Sequence, residues 1–158
     1  MDTNEQTQPQ PPGPDPALKA LEMFIGDWEV TGRTAGAHAD DVQGRLHFEW
    51  LPGGFFMQQR VELTFTGFSV AALEIIGYDP ATGRFPSTVF ASVFGQPIPY
   101  EYEIDGGNFT IHTEFGGGAT YTGSFSADGD TASGGWRPNP GAEGPGNIAY
   151  DIVGRRVR

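Results

Sequence analysis

The chain reads as an all-β protein: a closed, antiparallel, up-and-down β-barrel of about ten strands with a short helix in front of it. Three observations predict this. Apolar and polar residues alternate with a period of two along most of the sequence, and the alternating runs are short. Glycine or proline marks the breaks between runs, and the 24 glycines and 13 prolines are spread along the chain as many tight turns require. Successive runs are joined by short links, an order that removes unpaired strand edges when the sheet closes on itself.

Residues 1–14 carry Gln6, Gln8 and Gln10 among Pro9, Pro11, Pro12 and Pro14. Such a composition solvates its own backbone and buries nothing, so a disordered tail is expected, followed by one domain over residues 15–158. Asp15-Pro16 has the form of a helix N-cap followed by proline in the first turn, and Leu18, Leu21, Phe24 and Ile25 share one helical face. The helix should end near Gly26 and lay its apolar stripe over an open end of the barrel. Trp28, Val30 and Gly32 then alternate with Asp27, Glu29, Thr31 and Arg33, and Gly26-Asp27-Trp28 is a Gly-x-Trp that a β-barrel can use as its plug.

The next strand spans residues 43–51, with Leu46, Phe48 and Trp50 on one face and Arg45, His47 and Glu49 on the other. Pro52-Gly53-Gly54 turns the chain into a strand over residues 55–65 that carries Met57, Val61, Leu63 and Phe65 on its apolar face. Residues 70–78 are more evenly apolar; Asp79-Pro80-Ala81-Thr82-Gly83 is a turn, and residues 84–94 make another strand. Tyr100, Tyr102 and Ile104 form one apolar face, and Phe109, Ile111, Thr113 and Phe115 the next. After Gly116-Gly117-Gly118 comes the face of Tyr121, Gly123 and Phe125, then a turn at Asp128-Gly129-Asp130 and a strand with Trp136. Residues 148–158 supply the last strand.

Charge and composition limit the functions open to such a barrel. A formal net charge of -11 repels a phosphate backbone, which argues against nucleic acid as a partner. Neither a basic and apolar leader pattern nor a long apolar run is present, so a protein without a membrane partner is expected. With 0 cysteines, disulfides and thiolate metal sites are excluded and the reading leans to a reducing cytoplasm. Neither these features nor the spacing sets an oligomeric state.

An interior lined by Trp28, Phe48, Trp50, Met57, Tyr100, Tyr102, Phe109, Tyr121 and Trp136 would be an apolar cavity with phenol and indole groups as polar handles. About ten strands make a barrel wider than side chains alone fill, which favours a ligand cavity over a solid core. Glu74 is the catalytic candidate. It lies among apolar neighbours and shares a face with Val70, Ala72, Ile76 and Tyr78. Facing inward it would be a general acid or base with a raised pKa; the rarity of unpaired buried carboxylates favours the outward, solvated position. No nucleophile elbow or phosphate-binding glycine loop is present, since the Gly116 run leads into a strand. Arg155, Arg156 and Arg158 are expected to form a solvated basic end.

Ile25-Gly26-Asp27-Trp28-Glu29-Val30, Phe48-Glu49-Trp50-Leu51-Pro52-Gly53-Gly54-Phe55-Phe56 and the stretch from Ile76-Gly77-Tyr78-Asp79 to Gly83-Arg84-Phe85 carry a resemblance. In that order, with Asp128-Gly129 and Trp136 downstream, they resemble an uncharacterised bacterial family of calycin-type barrels. That group includes lipocalins, fatty-acid-binding proteins and nitrobindin-like haem proteins. The resemblance implies a barrel with an enclosed pocket and no settled activity. The nitrobindin-like proteins hold haem through a histidine near the end of the chain, whereas the three histidines here are His38, His47 and His112. The first lies in a loop and the others on polar strand faces, so neither haem nor a metal is expected. Three functions stay open: a binder of a small apolar or aromatic molecule, an enzyme of the cyclase or isomerase kind acting on a hydrophobic substrate, and a filled-core protein-interaction module.

Overall fold

The computed structural model describes residues 9–158, so the front of the expected tail, residues 1–8, lies outside the described residues. Asp15 opens the helix, its carboxylate accepting a hydrogen bond from the Ala17 amide at 2.9 Å, with Pro16 in the first turn. The helix, Pro16–Phe24, is a 3-10 helix. Its buried side chains are Leu18, Leu21 and Phe24, and three residues per turn stack that spacing along one line. Ile25, expected on the same stripe, is instead the extended C-cap with ψ 135°.

Ten strands follow: β1 (Gly26–Thr34), β2 (Val42–Trp50), β3 (Met57–Phe65), β4 (Phe68–Ile76), β5 (Phe85–Ala91), β6 (Ile98–Asp105), β7 (Asn108–Thr113), β8 (Ala119–Phe125), β9 (Thr131–Pro138) and β10 (Tyr150–Arg156). Each pairs with its neighbours in sequence, and β1 pairs antiparallel with β10 to close the barrel. The fold is therefore the closed all-β barrel that the alternation predicts. Several strands stop earlier than their apolar runs do: β4 ends before Tyr78, β5 before Val93 and Phe94, and β7 before Phe115. At Phe115 the cause is local, because Gly116, Gly117 and Gly118 adopt φ of 65°, 92° and 100° and reverse the chain where side chains are disfavoured.

Up-and-down order puts the 3-10 helix and the β2–β3, β4–β5, β6–β7 and β8–β9 connections at one end of the barrel. That end is closed. Leu18, Leu21 and Phe24 share a buried cluster with Trp28, Phe48, Met57, Ile76 and Phe85. The Trp28 indole N–H donates to the Phe24 carbonyl at 2.8 Å, which satisfies a carbonyl at the helix end. Over a face of the indole lies the Arg156 guanidinium, 4.3 Å from the ring centroid. Arg156 also donates to the carbonyls of Met23 at 3.0 Å, Gly129 at 3.1 Å and Ile25. The expectation of a solvated basic end is thus corrected at Arg156: alternation turns it inward, where backbone carbonyls, an aromatic face and the Asp130 carboxylate at 3.5 Å receive its charge.

On the wall, Gly123 of β8 and Gly134 of β9 stand directly opposite in register. A Cβ at Gly123 would come within 2.6 Å of the Tyr121 ring and 2.8 Å of the Phe109 ring, and one at Gly134 within 2.7 Å of Tyr121. Without side chains, this part of the sheet lets both rings lie close against it. The outer surface carries ion pairs such as Arg84 with Glu101 and Glu103, each at 2.7 Å, and Arg137 with Asp151 at 2.8 Å. Charges on that face are the reverse of the apolar outer band of a membrane β-barrel, and no helix among the described residues is long and apolar enough to cross a membrane.

Candidate functional site

A cavity of about 650 Å³ occupies the barrel interior. Its walls come from the inward positions of the strands, and its mouth lies at the end away from the 3-10 helix. Phe68, Val93, Phe94 and Ile148 are exposed around that mouth. The β9–β10 connection runs across it, pinned by Asn147, whose side-chain amide donates to the carbonyls of Gly118 at 3.0 Å and Ala142 at 3.1 Å. A second depression, around Gly44 and lined by Glu29, Gln43, Arg45, Glu62 and Thr64, is an open groove on the outer face. It is open to solvent and gives a small molecule little enclosure, so the interior cavity is the candidate site.

Trp28, Phe48, Tyr100, Tyr102, Phe109, Tyr121 and Trp136 line the cavity. Trp50 and Met57, expected beside them, do not. They pair with each other across β2 and β3 one step below Phe48, in the layer under the helix, where Met57 is fully buried. Alternation assigns a side chain to the inside of a barrel and leaves its height along the axis open, which is why the two fell into the wrong layer.

The polar centre of the cavity is Glu74. Its expected outward position is corrected: the side chain points inward from β4, is only 3% exposed and lines the cavity. Ser87 of β5 donates to one carboxylate oxygen at 2.5 Å, and the Tyr102 hydroxyl of β6 donates to the other at 2.9 Å. Burial pushes the Glu74 carboxyl up to about 7, although both hydrogen bonds pull it down by favouring the anion. Gln59 of β3 stands opposite Glu74 in register and is itself buried on the cavity wall.

The phenols respond to the same enclosure. Burial and the nearby Glu74 charge push Tyr100 up to about 12 and Tyr102 well above the ordinary tyrosine value. Tyr121 and Tyr150 are raised too, chiefly by burial. All four remain protonated near neutrality and offer O–H groups to the interior. Their rings pack on indole: Tyr100 lies 5.3 Å and Tyr121 5.6 Å from Trp136, centroid to centroid.

Sequence reasoning missed Gln59 and Ser87 in the interior, and placed Tyr150 on a shared face with Ile148 and Ile152 without assigning it to the cavity. For Gln59 and Ser87 the signal was parity alone, since each sits between inward apolar residues of its strand, Met57 and Val61 or Phe85 and Val89. The histidines are elsewhere. His38 lies in the exposed β1–β2 connection. His47 faces outward, 2.7 Å from Asp27 and 3.6 Å from Glu49, and the hydrogen bond to Asp27 raises its pKa. His112 meets Glu103 at 3.3 Å on the outer face. Among the described residues no cluster of three or more histidine, aspartate and glutamate side chains is arranged to hold a metal ion.

Residues 13–131 match the family described as "Protein of unknown function (DUF1579)". The chain is also similar in structure to the crystal structure of Rv2717c from M. tuberculosis, with a TM-score of 0.59 and 14% identity over 92% of this chain and 99% of that one. At that identity the likeness shows the fold alone. No curated protein matches the chain.

Proposed function

This chain belongs to the DUF1579 family, and on that premise we propose that its barrel binds a small, mainly apolar or aromatic molecule as a carrier, sensor or sequestering protein. The observation that carries the reading is the cavity: about 650 Å³ inside a closed barrel, walled by aromatic rings and holding one buried carboxyl. Small-molecule sites have this size and make-up, roughly 300–1,000 Å³ with few polar groups among apolar ones. A filled-core module would leave no such volume. The calycin-type resemblance supports the same reading, and the cysteine-free composition supports a cytoplasmic setting.

A second reading is favoured by Glu74. A carboxyl that titrates near neutrality, hydrogen-bonded to a phenol inside an apolar cavity, has the properties of a general acid or base. An isomerase or cyclase acting on a hydrophobic substrate would use it for proton transfer. Chemical change of a bound compound, lost in Glu74→Gln with binding retained, separates this reading from simple carriage.

The binding reading is tested with N-phenyl-1-naphthylamine, a neutral apolar fluorophore. Saturable binding near one equivalent is expected, with quenching of tryptophan emission, because Trp28 and Trp136 line the cavity. Trp136→Ala should weaken the probe more than Trp50→Ala. The folded state should gain about 2.7 kcal/mol when free probe reaches about a hundred times its Kd. Absence of saturable binding by this probe and by a panel of neutral apolar compounds would refute the reading.

A further inference from the structure

The interior is electrostatically one-sided. Among the described residues that line the cavity none is lysine, arginine or histidine, and Glu74 is the one acid. The inward-turned Arg156 is engaged at the closed end by Trp28, by backbone carbonyls and by the Asp130 carboxylate at 3.5 Å. Groups packed around Glu74 are neutral near pH 7: Gln59 from β3, Ser87 and Val89 from β5, and Tyr100 and Tyr102 from β6.

Each carboxylate oxygen of Glu74 accepts one hydrogen bond, from Ser87 or Tyr102, and keeps one further lone pair. Those lone pairs have no cation of the protein to meet. The Glu74 charge reaches Tyr100, whose ring lies 5.3 Å from that of Trp136, itself 5.6 Å from Tyr121; all three rings line the same cavity as the carboxyl, and aromatic faces attract a cation. A ligand carboxylate would bring a second negative charge into an enclosed apolar space. An ammonium group would neutralise Glu74 and donate the hydrogen bonds that its oxygens can still accept.

Resting on the binding reading above, we propose that the ligand class is amphipathic amines: molecules whose protonated nitrogen is received by Glu74 and the Tyr100, Tyr121 and Trp136 rings, with an apolar body filling the barrel toward its mouth. The site therefore discriminates against fatty acids and other apolar carboxylates, which a barrel with an interior arginine would accept.

The test is a matched series with one body and three heads: 4-phenylbutylamine, 4-phenylbutanol and 4-phenylbutyrate, titrated by calorimetry into the full chain at pH 6, 7 and 8. At pH 8 the amine should bind about tenfold tighter than the alcohol, and the carboxylate weakest of the three. Amine affinity should rise by up to about tenfold from pH 6 to pH 8, because the amine stays protonated, with a pKa of about 10, while Glu74 ionises. Alcohol affinity should stay flat. At pH 7 amine binding should release protons, seen as a dependence of the binding heat on buffer. In Glu74→Gln the amine's advantage over the alcohol should vanish while the alcohol still binds, which shows that the variant is folded.

Equal binding of amine and alcohol, or tighter binding of the carboxylate, would overturn the amine assignment and leave the binding reading standing. Failure of all three compounds, together with failure of N-phenyl-1-naphthylamine, would overturn both.

Discussion

Trp28→Ala should lower the unfolding free energy by about 3–5 kcal/mol in urea denaturation, the cost of removing a large buried aromatic side chain. The indole is 3% exposed and joins three parts of the closed end. It satisfies the Phe24 carbonyl, carries the Arg156 guanidinium on one face and packs edge-on against Phe125 at 5.9 Å. Its removal leaves a void under the helix, an unpaired carbonyl and a guanidinium without its aromatic surface. Trp28→Phe should cost less than Trp28→Ala, since it keeps most of the apolar area and loses the N–H donor, worth about 1–3 kcal/mol when the carbonyl is left buried. A loss below about 1 kcal/mol for the alanine variant would place Trp28 outside the plug and undo the description of that end.

Glu74→Gln should stabilise the protein at pH 8 and change the way stability depends on pH. The folded-state pKa is raised to about 7 from an ordinary value of 4.5, so between those values the folded chain holds a proton that the unfolded chain has released. Raising the pH through that window therefore favours unfolding. Below it both states are protonated and the site costs nothing; above it both are ionised and the full cost of the buried anion is present. The shift corresponds to a penalty on the order of 3 kcal/mol at pH 8. Measured by urea denaturation at pH 5 and pH 8, the difference between native and Glu74→Gln stability should move by roughly that amount in favour of the variant. Parallel pH profiles for the two proteins would show that Glu74 is solvated.

The barrel was legible in the sequence because its cause is local: a period of two, repeated and interrupted by turn residues, defines strands and their faces without knowledge of the partners. Leu18, Leu21 and Phe24 gave the helix for the same reason, although their spacing of three was the sign of a 3-10 turn. The site was less legible because it depends on height and on partners from other strands. Trp50 and Phe48 share a face, yet only Phe48 reaches the cavity. Glu74 shares a face with apolar residues, but its burial is tolerated because Ser87 and Tyr102, 13 and 28 residues away in sequence, supply hydrogen bonds. Arg156 likewise finds its partners only when β10 closes against β1, where its register mate is Trp28. A residue's own neighbourhood in sequence states none of these pairings.

If the barrel encloses open space that a ligand can enter, side chains added to its wall should fill that space at the ligand's expense. Ala72 of β4 and Ala91 of β5 face each other in register and both line the cavity. In Ala72→Phe and Ala91→Phe the added ring should be taken up by the cavity, leaving the urea midpoint unchanged or raised, while affinity for N-phenyl-1-naphthylamine falls by about tenfold or more. A core already filled would answer in the opposite way: each added ring would cost about 1–3 kcal/mol through overpacking, and any probe bound elsewhere would keep its affinity. Lost stability with unchanged probe binding in both variants would show that the core is already filled.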